Sequence, residues 1–124
     1  MMRSGYGRMV SDLTLVKQVF DTLKQLKIPV THQVRPKAYP GLCFNFFDTS
    51  PAIQGDGAAR LMQANCQVEI YTKNGASHGI AQDIKVAMRA AGWQYVREED
   101  NIEVAVGLYS YAIIFYRHYK PEEE

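Results

Sequence analysis

The chain has two cysteines, Cys43 and Cys66, and a thiolate can act as a nucleophile or a metal ligand. They form no Cys-x-x-Cys pair, have no papain-like context and each fall in an apolar stretch, so both are expected to be buried thiols. A metal needs several donors converging on one point. His32, His78 and His118 lie far apart, with no HxxxH or HExxH spacing to set two imidazoles on one helical face, and no metal site is expected. Gly5-Tyr6-Gly7 and Gly55-Asp56-Gly57 have the glycine content of phosphate loops. Neither follows a buried strand and opens a helix, and neither ends in Gly-Lys-Ser/Thr, so both read as turn or flexible glycines. Glu98-Glu99-Asp100 offers carboxylates for acid–base or metal chemistry, but three adjacent acids in a turn are ordinarily just hydrated. With no Gly-x-Ser-x-Gly either, the residues support neither an enzyme nor a cofactor site.

The eight tyrosines are a more suggestive feature, because seven of them (Tyr39, Tyr71, Tyr95, Tyr109, Tyr111, Tyr116 and Tyr119) fall in or beside expected strands. A tyrosine on a sheet is either half-buried packing or an interface anchor with a polar tip. Base stacking is the third reading. Against it, these aromatics are interleaved with Glu69, Glu98, Glu99 and Glu103, and a formal net charge of +1 supplies no strong phosphate-directed field. No RRM signature or KH GXXG loop is present, and nucleic acid is not expected as a partner. Charge is nevertheless uneven. Residues 1–40 carry seven Lys or Arg against two Asp, residues 41–94 carry four of each sign, and residues 95–124 carry three basic against seven acidic. This describes either two solvated ends of differing sign or a chain that self-associates head to tail, basic end to acidic end.

The elements that must position these residues follow from periodicity. Ser11-Asp12 opens a helix over about 11–27, with Leu13, Val16, Phe20 and Leu23 as its apolar stripe and Ile28-Pro29 as its end. Val30–Val34 alternates as a short strand stopped by Arg35-Pro36, and 36–41 is a loop. Leu42–Asp48 is a second, mostly buried strand. Thr49–Ala59 holds Pro51, Gly55 and Gly57, too many turn residues for an element, and reads as a projecting loop. Leu61–Thr72 alternates cleanly, Ala64, Cys66, Val68 and Ile70 against Asn65, Gln67, Glu69 and Tyr71, as a strand with one covered face. After the Lys73-Asn74-Gly75 turn, Ser77 can cap a helix carrying Ile80, Ile84, Ala87, Met88 and Ala91, which Gly92 stops. Trp93–Val96 is a further strand, Arg97–Asn101 a charged turn, and a last strand starts at Ile102, strongest from Leu108 to Tyr119. Apolar residues on both faces of that strand suggest packing on the helices on one side and on another protein molecule on the other.

With 124 residues, 47% hydrophobic and 22% charged, the chain has the size and composition of one soluble globular domain. A core of this size stands without disulfide or metal. No run approaches the roughly 18 apolar residues of a membrane span, and the start lacks an apolar signal core, so no membrane partner and a cytoplasmic site of synthesis are expected. The expected fold is α+β: a two-layer sandwich of about 4–5 mainly antiparallel strands packed by two helices, in the order α-β-β-β-α-β-β. Its organisation is an N-terminal extension over 1–10, a single domain over 11–119 and an acidic tail over 120–124. Met9 is a second possible initiator, which leaves 1–8 as an extension, an added remnant or a flexible arm.

The run Cys66-Gln67-Val68-Glu69-Ile70-Tyr71-Thr72-Lys73, the helix Ile80–Ala91 ending at Gly92-Trp93, Glu98-Glu99-Asp100, and Gly107-Leu108-Tyr109-Ser110-Tyr111-Ala112-Ile113-Ile114-Phe115 together resemble small neck and tail proteins of long-tailed bacteriophages. Leu13–Lys27 followed by Ile28-Pro29-Val30, the segment through Tyr39-Pro40 and the strand at Leu42–Phe47 match the same layout, so the resemblance covers about 11–119. It implies a tail terminator or tail-completion protein of a phage or prophage, which caps the tail tube and mediates head–tail joining as a ring of identical subunits, often a hexamer. The partners would be further copies, the tail tube and the head connector, and the location the virion neck, after assembly in the host cytoplasm. Such proteins are not enzymes, and no catalytic residue transfers. What carries over is a contact role for Arg35–Gly41 and for Thr49–Ala59, with Arg35, Lys37 and Arg60 as polar contacts and Tyr71, Tyr109 and Tyr111 as anchors. Another neck or minor capsid protein is a close alternative, and a cytoplasmic nucleic-acid or small-ligand binding module is the alternative of a different class.

Overall fold

The computed structural model describes residues 12–53, 61–103 and 107–120. Its order is α1 (Asp12–Lys24), β1 (Val30–His32), β2 (Gly41–Ile53), β3 (Leu61–Thr72), α2 (His78–Ala90), β4 (Gln94–Glu103) and β5 (Leu108–Tyr119). The five strands form one sheet in the order β1-β2-β3-β5-β4, antiparallel except for the β1–β2 pair. The expected α+β class, with two helices against a mainly antiparallel sheet, is the one observed. The extension and Ser11, the stretch 54–60 with Arg60, and the tail beyond residue 120 lie outside the described residues.

Both helices cover the same sheet face. The stripe of α1 is centred on Leu15, Val19 and Leu23, all buried, with Val16 and Phe20 on its flank, which moves it one position from the expected centre. Ala81, Ile84 and Met88 supply the buried face of α2. Beneath them lie Leu42 and Phe44 of β2, Ala64, Cys66, Val68 and Ile70 of β3, and Ile113 and Phe115 of β5. The cross-strand register Phe44↔Val68↔Ile113 puts these side chains in one row, as a shared face requires. Trp93, 2% exposed, closes the core beside Phe46, with ring centroids 6.1 Å apart.

Several boundaries differ from the sequence expectation. The last turn of α1 tightens to i→i+3 bonds, Leu26 N–H to Leu23 O at 3.0 Å and Lys27 N–H to Lys24 O at 3.1 Å, and Lys27 at φ 60° leaves the helix. Gln33 at φ 71° stops β1 two residues early. The projecting loop is corrected at its start, because Thr49–Ile53 continue β2 and pair with Leu61–Gln63 across register shifts. Pro51 is tolerated there because β1 pairs only with Leu42–Phe44, which leaves that stretch of β2 at an edge and at an irregularity. The charged turn at Arg97–Asn101 is also corrected: it is the body of β4, which runs on through Ile102 and Glu103. An edge strand accepts such a charge run because one of its sides faces solvent. Ser77 is the N-cap of α2 but makes no side-chain cap bond. Gly92 does end α2, at φ 102°, with the Trp93 N–H reaching back to Met88 O at 3.0 Å.

Candidate functional site

The register divides the nominated residues between two faces. Tyr71 pairs with Gly41 and Ser110 and belongs to the face away from the helices, whereas Tyr111 pairs with Ile70 and Tyr109 with Thr72 on the helix side. The three tyrosines therefore do not form one patch. Tyr71 is buried despite having no helix above it, and the Arg35 guanidinium stacks 5.4 Å from its ring centre. Its hydroxyl donates to Glu69 Oε1 at 3.1 Å. Burial and the neighbouring Glu69 push the Tyr71 phenol up to about 12, so it stays a neutral donor. Arg35 and Lys37 lie in the segment between β1 and β2 and are both exposed. That segment turns through a cis Tyr39–Pro40 peptide, with Lys73 5.5 Å from the Tyr39 ring centre.

Tyr111 belongs to a second cluster, which the alternation of β4 alone would not place. Val96 is an extra residue between the pairs Tyr95↔Phe115 and Arg97↔Ile114, and this bulge brings Glu98 opposite Ile113, on the helix side. There Lys85 Nζ of α2 and the Tyr95 hydroxyl each donate to Glu98 Oε2 at 3.0 Å. Burial opposes the Glu98 charge, but the Lys85 ammonium and hydrogen bonds from Tyr111 and Tyr95 outweigh it, and the carboxyl titrates below its ordinary value. Burial and the bond to Glu98 raise Tyr111 to about 12. The acid triplet thus resolves into one paired carboxylate, Glu98, and two exposed ones, Glu99 and Asp100.

Arg117, which the sequence reading did not single out, joins three elements. Its guanidinium lies 5.6 Å from the Trp93 ring centre, and Nη1 reaches Gln18 Oε1 of α1 and the Ala91 carbonyl at the end of α2, both at 3.4 Å. A cation suits that helix terminus. The available signal was the position of Arg117 in phase with Ile113 and Phe115.

The two cysteines are free and buried, Cys66 on the core face and Cys43 on the opposite one. Burial raises both thiols, which keeps them protonated and poorly nucleophilic. Among the described residues no cluster of three or more His, Cys, Asp or Glu could hold a metal, and no helix is long and apolar enough to cross a membrane. A groove of about 550 Å³ runs along α1 beside Val16, Lys17, Phe20 and Lys24. A smaller cleft of about 320 Å³ is lined by Leu15, His32, Phe46, Asp48 and Ala64 among others. In it His32 stacks on Phe44 with ring centroids 4.8 Å apart, an arrangement of packing. Outside these pockets the described surface includes the sheet face away from the helices, where Arg35 stacks on Tyr71.

No protein-family model matches the chain, and no curated protein does. Among solved structures, the fold is similar to that of a chain in "Virion of native gene transfer agent (GTA) particle", with a TM-score of 0.54 and 14% identity, over 82% of this chain and 91% of that one. At this identity the likeness is one of fold.

Proposed function

We propose that the protein is a structural component of a phage-like virion, placed in the tail–neck region, where it caps the tail tube and mediates head–tail joining through ring-like self-association. The observation that carries the reading is the fold shared with a gene transfer agent virion chain along nine-tenths of that chain's length. The neck position and the ring rest on the resemblance of the sequence to tail terminators. The described polar clusters fit a binding role. Glu98 and Glu69 are engaged by Lys85, Tyr95 and Tyr71, holding β4 to α2 and ordering the open sheet face.

The mechanism is differential contact. One face of a ring complements the last layer of the tube and the opposite face cannot repeat that contact, so tube growth stops and a new surface is offered to the head. Electron microscopy of particles produced without this chain tests the reading. The expected result is overlong tubes together with heads that carry no tail. Joined particles with tails of normal length would contradict a terminator, and short, closed tails beside tailless heads would indicate another neck protein.

A further inference from the structure

Between the pairs Phe47↔Asn65 and Ser50↔Gln63, β2 spends three residues where β3 spends two. Asp48 takes up the excess at φ 49°, in the left-handed region, where a residue with a side chain persists only if its surroundings hold it. Asn65 supplies the hold. Its Nδ2 donates to the Phe47 carbonyl at 3.2 Å and to the Asp48 carbonyl at 3.0 Å, so both hydrogens are spent on the bulge. Its Oδ1 accepts from Gln63 Nε2 at 3.1 Å. Gln63 Oε1 in turn lies 3.3 Å from Nε2 of His118, the residue opposite Gln63 on β5. This chain has one polarity. A carboxamide turned round at Asn65 would set its oxygen against two carbonyls, so Nδ2 must face the bulge and Oδ1 must face Gln63. That orients the Gln63 amide as well, and His118 Nε2 must carry the hydrogen.

We propose that Asn65 is the positioning residue of an arm made by the ends of β2 and β3: oriented by Gln63 and His118, it fixes the bulge and so sets the direction in which the arm leaves the core. Past the bulge, Ser50, Pro51 and Ile53 pair with Gln63, Met62 and Leu61, and Thr49, Ser50 and Pro51 are exposed. Strand β1 pairs with β2 only at Leu42–Phe44, so among the described residues no strand supports the outer side of β2 there. Without a clamp, a left-handed residue at the root of such an arm is a hinge. With one, the arm has a single direction. The arm is the described beginning of Thr49–Ala59, the segment for which the resemblance implies contacts. On that reading it meets its partner already formed and gives up little conformational freedom on binding. The positioning itself does not depend on what the arm touches.

Hydrogen exchange of the full chain, read amide by amide, tests this. Asn65→Ala removes the clamp, whereas Asn65→Asp keeps its shape and replaces both donors with an acceptor. The amides of Ser50 and Gln63, the first pair beyond the bulge, are expected to exchange at least about tenfold faster in Asn65→Ala, the effect of two lost hydrogen bonds. They should exchange faster still in Asn65→Asp, while the core amides of Val68 and Ile113 keep the parent rate. This order separates donation from the mere filling of space. Ser50 and Gln63 amides as slow in Asn65→Asp as in the parent overturn the proposal, and so do unchanged rates in Asn65→Ala or an acceleration that is uniform through the sheet. Gln63→Glu leaves an acceptor for His118 but no donor to Asn65, and serves where an Asn65 variant fails to fold. It should speed the Ser50 amide by a smaller factor, and a Ser50 rate equal to the parent's overturns the orienting chain. None of these outcomes bears on the virion reading, which is judged on particles made without the chain.

Discussion

Glu98 shows how one residue's environment decides what its charge does. Its two neighbours in sequence are exposed, yet the Val96 bulge turns it under α2, where an ammonium and two phenols surround it. Its carboxyl titrates below the ordinary value, so the stability it contributes is fully present above the unfolded-state value near 4.5 and is lost as pH falls through the lower folded one. Glu98→Gln is therefore expected to cost about 1–3 kcal/mol at neutral pH, since Lys85 loses its charged partner. Chemical denaturation of parent and variant between pH 7 and pH 3 checks this. The gap should narrow below about pH 4.5, and a gap independent of pH would show that the ionised carboxylate contributes nothing. Tyr111 and Tyr71, raised to about 12, remain neutral donors throughout that range.

At the scale of elements, glycine positions separate turn geometry from helix propensity. A Cβ at Gly41 would collide with the Ala38 carbonyl and lie 2.7 Å from the Pro36 ring, whereas one at Gly79, in the first turn of α2, meets nothing within 4 Å. Gly41→Ala should destabilise the domain by about 1–3 kcal/mol through displacement of the segment that enters β2, and Gly79→Ala should stabilise it by up to about 1 kcal/mol. Thermal melts of the two variants decide this, and equal or reversed effects would contradict the packing around Gly41.

Clean periodicity was legible at this scale. Leu61–Thr72 alternates and is β3 at those limits, and the stripes of α1 and α2 give helices whose faces differ by a residue or two. The failures have a common cause. Proline and charge mark turns when a strand is assumed to be interior, but Thr49–Ile53 and Arg97–Asn101 lie along edges, where proline removes no ladder bond and the Glu99 and Asp100 carboxylates stay hydrated. The candidate contacts were only half legible. Tyr71 and Arg35 do meet, but Tyr109 and Tyr111 face the other way, because side-chain facing depends on a register that pattern alone does not give. Arg117 was missed because its partners, Gln18 and Ala91, come from distant parts of the chain.

At the scale of the molecule, the fold supplies two helices on one side of a five-stranded sheet and a face opposite them. The open face is not an apolar slab. Cys43, Tyr71, Ala112 and Ile114 are buried there between Asn45, Gln67, Glu69 and Tyr116. Long polar side chains thus shield small and apolar neighbours, and the surface suits a wet contact with another protein better than a permanent hydrophobic seam. The proposed neck component would use such a surface to bind once its target exists. The most direct test of that account is to locate the protein in particles, by gold labelling of an epitope-tagged chain under the electron microscope. The account predicts label at one point per particle, the junction of head and tail, and at one end of tails that have not yet joined. Label spread along the tube, confined to the head shell or absent from purified particles would contradict it.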